Sequence, residues 1–376
     1  MPLQKSIVGL TLIALAVTLP AQAQKLETVA NFYGAMPTGV TVSHAGRVFV
    51  NFPHWGDDVP FTVGEVKNGQ TVAYPNAAVN RINKANPAAC LYSVQSVVVD
   101  PKDRLWALDT GSVKLGPNVP NGPKLVCMDL NTNKITRKIF FPRSVVTPGT
   151  YLNDIRFDLR RGKGGMAFIT DSGAKSPNVI ILVDLASGRS FRRLGSHPSV
   201  KPVPGFAPIV EGQPLYERKH GLSPQEIKFA SDGIAISDDG KTLYYCPLSS
   251  RKLYSVSIDA MADRSKSEAD VEKTVQDLGV KGCSDGLETD AQGRLYATDC
   301  EHARIKRGRP GGPYTLLVQA PTLYWMDTMS VATDGYLYFT GNELQRQPNY
   351  HNGKDLRVKP YKLFRVKDGA TPVLLK

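Results

Sequence analysis

The stretch Ser231-Asp-Gly-Ile-Ala-Ile-Ser-Asp-Asp-Gly-Lys-Thr-Leu-Tyr-Tyr-Cys246, which continues to Leu253-Tyr-Ser-Val-Ser-Ile258, decides the fold. It contains an apolar run, an Asp-Asp-Gly turn, an aromatic run, a loop and a third run in which polar and apolar residues alternate. Asp and Gly tolerate the left-handed backbone of a tight hairpin turn, and β-branched and aromatic residues suit a pleated sheet. The stretch therefore predicts an antiparallel β-meander.

The same pattern occurs six times when the 376-residue chain is aligned on the turn. The first strands of the six copies are Gly39–Val42, Ser96–Val99, Asp154–Phe157, Gly233–Ile236, Gly286–Thr289 and Thr328–Val331. Repeats made only of strands, on the order of 40–70 residues apart and with four strands each, are typical of β-propellers. We therefore predict an all-β fold, a six-bladed β-propeller.

Both ends of the repeat array carry strand-like segments. Lys25 to Phe32 alternates like a strand but precedes the first repeat. An N-terminal strand added to the last blade would cover two exposed sheet edges, so we expect it to close the ring. We also expect Tyr361–Val366 to pair with Pro372–Leu375 as outer strands of the last blade.

Residues 1–23 have the composition of a secretory signal peptide. Lys5 supplies the positive end, Ile7 to Leu19 the apolar run, and Ala21-Gln-Ala23 the small-residue cleavage site. We expect this segment to be removed and residues 24–376 to form a single propeller domain that is secreted or periplasmic. The apolar run is shorter than the ~20 residues of a membrane span, and no later stretch reaches that length, so we expect no membrane span.

The chain has a net charge of +12, with one basic cluster at Arg304-Ile-Lys-Arg-Gly-Arg309. An exported protein rarely meets nucleic acid, so we expect no nucleic-acid partner. The basic cluster is then either a solvated loop or a site for an anionic cell-surface polymer.

Antiparallel geometry places most long loops on one face of the ring, where the first strands begin. They include Gly195–Phe229 and Gly341–Lys359, whereas the short hairpin turns and a charged, helical insertion at Ala260–Gln276 lie on the other face. Long irregular segments in compact domains are usually functional or disordered. The long-loop face is therefore the predicted functional face.

A polar residue stands five positions before each short turn. The six are Thr38, Gln95, Asn153, Asp232, Asp285 and Asp327, and two positions after each of them the residue is apolar. The switch from apolar to polar comes where the innermost strands converge on the ring axis. We expect the six side chains to meet there and to contact a ligand.

Two interpretations of this polar ring remain open. A propeller channel holds water, so polar residues line it by default. Alternatively, three carboxylates beside an amide strain one another unless a cation or proton intervenes, and oxygen ligands suit Ca²⁺ before Mg²⁺. Asn153, Asp232 and Asp285 are then the metal ligands, and Asp327 is a fourth ligand or a general base. Nearby, Tyr324 and Trp325 either wall an aromatic pocket or pack between blades.

Several motifs resemble the yellow/major royal jelly protein family across nearly the whole mature chain. They are Leu152-Asn-Asp-Ile155, Thr170-Asp-Ser172, Leu243-Tyr-Tyr-Cys-Pro-Leu-Ser-Ser250, Arg104-Leu-Trp-Ala-Leu-Asp-Thr-Gly111 and Trp325-Met-Asp-Thr-Met-Ser330. The resemblance implies a secreted six-bladed propeller. Some members bind small amines or aromatic ligands in the central pocket, and some insect members are linked to dopachrome conversion.

Two motifs depart from the insect pattern. Ser231-Asp-Gly-Ile234 and Ser284-Asp-Gly-Leu287 are similar to the senescence-marker/gluconolactonase propellers, whose metal ligands occupy those blade positions. That family also uses a glutamate in blade one, where this chain has Thr38. The departure argues against a lactonase and leaves a metal site in which Asp327 substitutes.

The chain has five cysteines, and export would permit disulfides. Cys283 and Cys300 fall opposite one another across the Asp290–Gly293 hairpin, within one residue of register. We predict a disulfide between them. The alternative is that all the cysteines are buried small hydrophobes.

Three classes of function follow from these observations. The first is an exported propeller that binds a small aromatic or cyclic organic ligand in its central pocket. The second is a metal-assisted enzyme, a lactonase-like hydrolase or a dopachrome-type tautomerase, with Asp327 and Asp285 as catalytic groups. The third is an interaction protein that presents its loops to another macromolecule. Fold alone does not decide among them.

Overall fold

The computed structural model describes residues 24–376, which form six four-stranded antiparallel sheets arranged as a ring. Each innermost strand contacts the innermost strand of the next sheet, and the sixth contacts the first. The predicted six-bladed propeller is confirmed. The predicted signal peptide, residues 1–23, lies outside the described residues.

The strands of each blade follow from the inside of the ring outwards. Blade one has Val40–Val42, Val48–Asn51, Val63–Lys67 and Gln70–Ala73. Blade two has Val94–Val99, Arg104–Asp109, Lys124–Asp129 and Lys134–Phe140. Blade three has Leu152–Asp158, Met166–Asp171, Ile180–Asp184 and Ser190–Arg193. Blade four has Ser231–Ile236, Thr242–Pro247, Lys252–Ser257 and Gln276–Val280.

The last two blades complete the ring. Blade five has Leu287–Thr289, Leu295–Asp299, Arg304–Gly308 and Tyr314–Gln319. Blade six has Trp325–Val331, Tyr336–Asn342, Tyr361–Lys367 and, outermost, the N-terminal strand Leu26–Phe32.

The short turns form because a side-chain oxygen, in most blades that of an aspartate, accepts hydrogen bonds from the turn's backbone N–H groups. In blade two, Asp100 Oδ1 accepts hydrogen bonds from the N–H groups of Lys102 (2.9 Å) and Arg104 (3.2 Å). Asp290 Oδ1 accepts the equivalent bonds in blade five at 3.0 and 2.9 Å. The turn of blade four ends at Gly240, whose φ of +71° lies in the left-handed region that favours glycine.

The apolar core of the described chain consists of six clusters, one at each interface between neighbouring blades. In blades two and three, for example, Trp106 packs on Phe157 with ring centroids 5.3 Å apart. Successive residues of a strand point to opposite faces of the sheet, and each face packs against a different neighbouring blade. Almost all residues of the inner strands are therefore buried. The ring is therefore a closed series of packed sheets, which holds the six innermost strands in fixed positions.

The N-terminal strand closes the ring as predicted. Leu26–Phe32 pairs antiparallel with Tyr361–Lys367, in a register that places Phe32 opposite Tyr361. This pairing unites the two ends of the chain in one blade.

The expected pairing of Tyr361–Val366 with Pro372–Leu375 is wrong, because the N-terminal strand occupies that position. The C-terminal residues instead cross the short-turn face. Pro372 bridges to Asp290 of blade five, and the Leu375 carbonyl accepts a hydrogen bond from Leu159 N of blade three at 2.9 Å. The tail thereby covers a cavity of about 90 Å³ at that end of the axis.

Insertions lie between the strands. The short α-helices are Ala77–Asn80, Ile258–Ala262 and Glu268–Glu272, and the 3₁₀ turns are Pro87–Ala89, Pro198–Val200, Leu344–Arg346 and Pro348–Tyr350. The second and third helices confirm the predicted helical insertion. The segment 195–229 contains two small ladders, Ile209–Val210 with Gln213–Pro214 and Tyr216–Glu217 with Gln225–Glu226. Within residues 24–376, no helix is long and apolar enough to cross a membrane.

Candidate functional site

The six predicted polar residues lie at the same end of the innermost strands, and each is at most 6% exposed. In four blades the pairing register shifts where the polar residue stands. Such β-bulges redirect side chains, here towards the axis. In blades one and five the regular strand begins only at Val40 and Leu287, after the polar residue.

Glycine follows the polar residue in three blades because the backbones approach closely. A Cβ on Gly233 would lie 2.6 Å from the carbonyl oxygen of Asp285, and one on Gly286 would overlap the carbonyl of Asp327. The backbones are therefore crowded near the axis. Neighbouring blades therefore bring their polar residues into direct contact.

A hydrogen-bonded chain of side chains crosses blades three to six. Asn153 Nδ2 donates to Asp232, and Asp232 is hydrogen-bonded to Asp285. Asp285 Oδ2 also accepts from Trp325 Nε1 at 2.6 Å. Asp327 accepts from the amide of Asn342 at 3.1 Å. The structure thus brings together Asn153, Asp232 and Asp285, with Asp327 close enough to affect their charges.

Burial raises the pKa of all three carboxyl groups. Neighbouring carboxylates add to the rise at Asp232 and Asp327, whereas at Asp285 the hydrogen bonds with Asp232 and Trp325 offset part of it. The pKa of Asp285 is raised to about 6, whereas those of Asp232 and Asp327 lie well above the ordinary aspartate value. Across the described chain, no arginine or lysine forms an ion pair with any of the three. Close carboxyl groups without a cation retain a proton between them. We call Asp232, Asp285 and Asp327 the carboxyl cluster.

A second charged layer, which the repeat pattern did not predict, lies deeper in the channel. Arg156 Nη2 donates to the Leu287 carbonyl at 2.7 Å and lies 3.3 Å from Glu288 Oε2. Burial raises the pKa of Asp154 and of Glu288, and the charge of Arg156 offsets only part of that rise. The sequence did contain a signal for this layer. Three positions after the polar ring residue, blades three and five have the charged residues Arg156 and Glu288, whereas the other four blades have uncharged residues.

Tyr324 and Trp325, the two neighbouring aromatic residues of blade six, lie at different sites. Trp325 reaches the carboxyl cluster, as its bond to Asp285 shows. Tyr324 instead lines a different cleft on the outer part of blade six. Successive strand residues point to opposite sides, so the two could not share one pocket.

Other aromatic residues take the place that Tyr324 was expected to hold. Tyr151 Oη accepts from Trp55 Nε1 at 2.6 Å and donates to Gln95 Oε1 at 2.9 Å. Burial raises the pKa of Tyr151, and the charges of Asp327 and Asp232 add to the rise, so its hydroxyl lies close to the cluster. Tyr151 precedes its strand, and a single tyrosine in a loop carried no signal in the sequence.

Two long loops join over the site. Arg218 N, from the segment 195–229, donates to the Asn349 carbonyl at 2.7 Å, and Asn352 N donates to the Arg218 carbonyl at 2.9 Å. The next residue of the same loop, Tyr350, is buried, and the charge of Asp285 contributes to raising its pKa. We call these two joined loops the cover; they place Tyr350 within range of the charge of Asp285.

The cover also contains an unsatisfied amide. Gln345 is 2% exposed, and neither its Nε2 nor its Oε1 has a hydrogen-bond partner among the described residues. A buried polar group without a partner costs about 1–3 kcal/mol. A ligand or an ordered water beneath the cover would remove that cost.

The predicted metal ligands do not form an open metal site. Within residues 24–376, no group of three acidic, histidine or cysteine side chains is placed to hold an ion. Asn153 uses its amide N–H group, a donor, towards Asp232. The Asn153 amide thus presents its donor to Asp232 in this arrangement, and a Ca²⁺ site at Asn153, Asp232 and Asp285 stays a prediction.

The basic cluster at residues 304–309 is a strand of blade five in which three of the four basic residues are paired. Arg304 and Lys306 lie 3.0 and 3.2 Å from Asp299, and Arg307 pairs with Asp368. Ion pairing neutralises much of the charge that an anionic polymer would need.

Cys283 and Cys300 are adjacent, as their predicted register requires. Cys300 N donates to the Cys283 carbonyl at 3.1 Å, and both residues are buried. Interaction with Cys283 and burial raise the pKa of the Cys300 thiol. Both are free thiols in the structure, so the bond between them stays a prediction.

In protein recovered from an oxidising compartment, we expect peptide mapping without reduction to find Cys283 joined to Cys300. A loop of this length contributes roughly 3 kcal/mol in the chain-entropy model. Cys127 and Cys246 serve as internal controls, because both should be alkylated as free thiols once the protein is unfolded. Complete alkylation of Cys283 and Cys300 in the same sample would contradict the prediction.

Comparison with known proteins points to one sequence family. The profile described as Major royal jelly protein matches residues 92–372. Protein yellow of Drosophila madeirensis is 28% identical over 248 residues, which is 62% of this chain and 41% of that protein. Protein yellow of Drosophila melanogaster is 27% identical over 250 residues, covering 62% and 43%. The matched part thus spans less than half of these relatives.

Solved structures share the fold at low identity. A luciferin-regenerating enzyme aligns with a TM-score of 0.55 and 13% identity over 93% of this chain and 97% of that one. Regucalcin of Agrobacterium tumefaciens, described as a calcium-binding protein, aligns with a TM-score of 0.54 and 14% identity over 93% and 97%. A gluconolactonase of Xanthomonas campestris aligns with a TM-score of 0.53 and 12% identity over 91% and 89%. At such identities the likeness concerns the fold alone.

Proposed function

Because this chain belongs to the major royal jelly protein family, we propose that it is an exported propeller that binds a small aromatic or cyclic organic ligand at its axis. The observation that carries the proposal is the carboxyl cluster. Three buried acids that form no ion pair within residues 24–376 lie beside Trp325 and near the cover. Burying such groups is unfavourable unless something compensates them, and functional sites often contain this arrangement.

The chemistry of the site favours a ligand that donates hydrogen bonds or carries a positive charge. A carboxylate of the cluster would accept from it, while the aromatic side chains would contact its ring. Since the ring residues are at most 6% exposed, entry requires the cover or the side chains to move. A cationic aromatic amine satisfies each of these conditions.

The test is calorimetric titration and thermal shift with aromatic amines, neutral lactones and quinones. Asp327→Asn keeps the shape of the site and removes one charge, so we expect amine affinity to fall about tenfold or more. Asp238→Asn makes the same chemical change at an exposed residue of a short turn on the other face, and it should leave the affinity unchanged. Equal affinities in the two variants, or no binding by any compound, would contradict axial binding and would favour an interaction protein.

Acid–base catalysis at the same site is the second candidate, and the pKa of Asp285 supports it. A carboxyl group that titrates at about 6 can exchange a proton near neutral pH. A tautomerase or a lactone hydrolase would use it as acid or base, together with Asp327. Turnover of a bound quinone or lactone that Asp285→Asn abolishes would favour the enzyme. Binding without turnover would favour a carrier.

Export is part of the proposal, and the sequence of residues 1–23 supports it. Expression of the full chain in a secreting host should release a protein that begins at residue 24. Retention of the intact N-terminus in the cell would contradict export.

A further inference from the structure

A second cavity lies on blade six, apart from the axis. It has a volume of about 360 Å³, within the range of small-molecule pockets. The ends of the blade-six strands and the segment 358–362 form its walls. Its aromatic lining consists of Tyr324, Tyr361 and Phe364, and its basic lining consists of Arg346, Lys359 and Lys362. We call it the blade-six cleft.

The cleft is separate from the carboxyl cluster. Tyr324 lines the cleft while its neighbour Trp325 bonds to Asp285. Asn342 stands between them, because it lines the cleft and its side chain donates to Asp327. A molecule in the cleft would therefore contact a different set of residues from an axial ligand.

The single acidic residue in the lining is already neutralised. Glu343 lies 3.1 Å from Arg346 Nη1 and accepts a hydrogen bond from Val358 N at 2.5 Å. Arg346 also pairs with Glu211, and its guanidinium lies 5.4 Å from the ring centroid of Tyr324. The charges of Arg346 and Glu343 in this corner of the cleft are therefore already paired.

The two lysines of the cleft make no direct ion pair in the part of the chain that the structure describes. Lys359 Nζ lies 6.0 Å from the ring centroid of Tyr361, and Lys362 Nζ lies 6.0 Å from that of Phe364. Neither lysine forms an ion pair with any residue in 24–376, whereas many other basic residues of the protein do. Two ammonium groups beside aromatic rings attract an anion that also has an apolar surface.

Tyr361 and Phe364 pack on opposite sides of their strand. Tyr361 belongs to the apolar cluster between blades six and one, whereas Phe364 and Tyr324 belong to that between blades five and six. The apolar wall of the cleft is therefore formed by the side chains of Tyr324 and Phe364.

We propose that the blade-six cleft binds a small aromatic carboxylate. Its ring lies against Tyr324 and Phe364, and its carboxylate lies between Lys359 and Lys362. The proposal does not depend on the axial ligand, since the two sites share no charged residue. An amine suits the axis and an anion suits the cleft, so the same protein would hold ligands of opposite charge.

The probes are 4-hydroxybenzoate and its neutral counterpart 4-hydroxybenzyl alcohol, titrated at low salt into the whole protein. We expect saturable binding of the carboxylate, about tenfold tighter than that of the alcohol. The Lys359→Gln/Lys362→Gln double variant should lose at least tenfold in affinity for 4-hydroxybenzoate. Lys354→Gln removes an exposed lysine of the same loop and should change nothing.

Three results would overturn the proposal. They are no saturable binding of either probe, equal affinity for both, and unchanged carboxylate affinity in a folded double variant. Asp327→Asn provides the remaining discrimination, because removing an axial carboxylate should strengthen the binding of an anion at the axis and leave binding in the cleft unchanged. Clearly tighter binding of 4-hydroxybenzoate by this variant would place the carboxylate at the axis and not in the cleft.

Discussion

Deletion of residues 25–32 is expected to destabilise the propeller by at least about 5 kcal/mol or to prevent recovery of folded protein. The deletion removes the outermost strand of blade six, with Ala30 and Phe32 buried at 3% and 5% exposure. Each large apolar side chain buried contributes about 1.5–3 kcal/mol, and the ladder to Tyr361–Lys367 is lost as well. The exposed edge would also favour aggregation.

Two point substitutions in the same strand test how much its buried side chains contribute to stability while its backbone pairing is kept. Phe32 lies against Phe52 with ring centroids 5.3 Å apart, so Phe32→Ala should cost about 3–5 kcal/mol in urea unfolding. Asn31→Ser alters the exposed neighbour and should cost little. A truncated protein with unchanged melting temperature and secretion yield would show that this strand does not hold the ring closed.

Asp285→Asn is expected to stabilise the protein by up to about 3 kcal/mol at pH 7.5. The pKa of Asp285 rises from 3.8 to about 6 in the folded protein, and this difference corresponds to about 3 kcal/mol. The folded state therefore holds the proton more tightly than the unfolded chain. Stability from this group falls as the pH rises from about 4 to about 6, and it stays low above that. An asparagine still accepts the bond from Trp325 Nε1 and carries no charge.

Unfolding in urea at pH 4 and at pH 7.5 checks this prediction. The variant and the natural protein should be nearly equal at pH 4 and should differ at pH 7.5. Asp238→Asn, at an exposed turn, is the matched control and should be neutral at both values. If the cluster holds a hard cation instead, Asp285→Asn should lower the melting temperature, and Ca²⁺ should raise that of the natural protein alone.

Much of the fold was determined locally and could therefore be predicted. The short hairpin turns, the alternating strands and their six repeats each depend on neighbouring residues, and the bonds of Asp100 and Asp290 show how. Aligning the repeats also predicted the polar ring, because equivalent positions in equivalent blades lie at the same depth. Asp232, Asp285 and Asp327 were found in this way. The N-terminal closure followed from an unpaired strand at one end and an unfilled edge at the other.

Only the tertiary structure decided the rest, because it depends on contacts between residues far apart in the chain. The Leu375 carbonyl bonds to Leu159 only because the N-terminal strand already occupies blade six. Tyr350 comes within range of the charge of Asp285 because two long loops join, and Tyr324 lines a different cleft from Trp325 because the strand is paired in one register. The sequence by itself determined the ring and the acids at its centre. Packing between distant segments decided what covers those acids, where the tail lies and that a second, basic cleft exists.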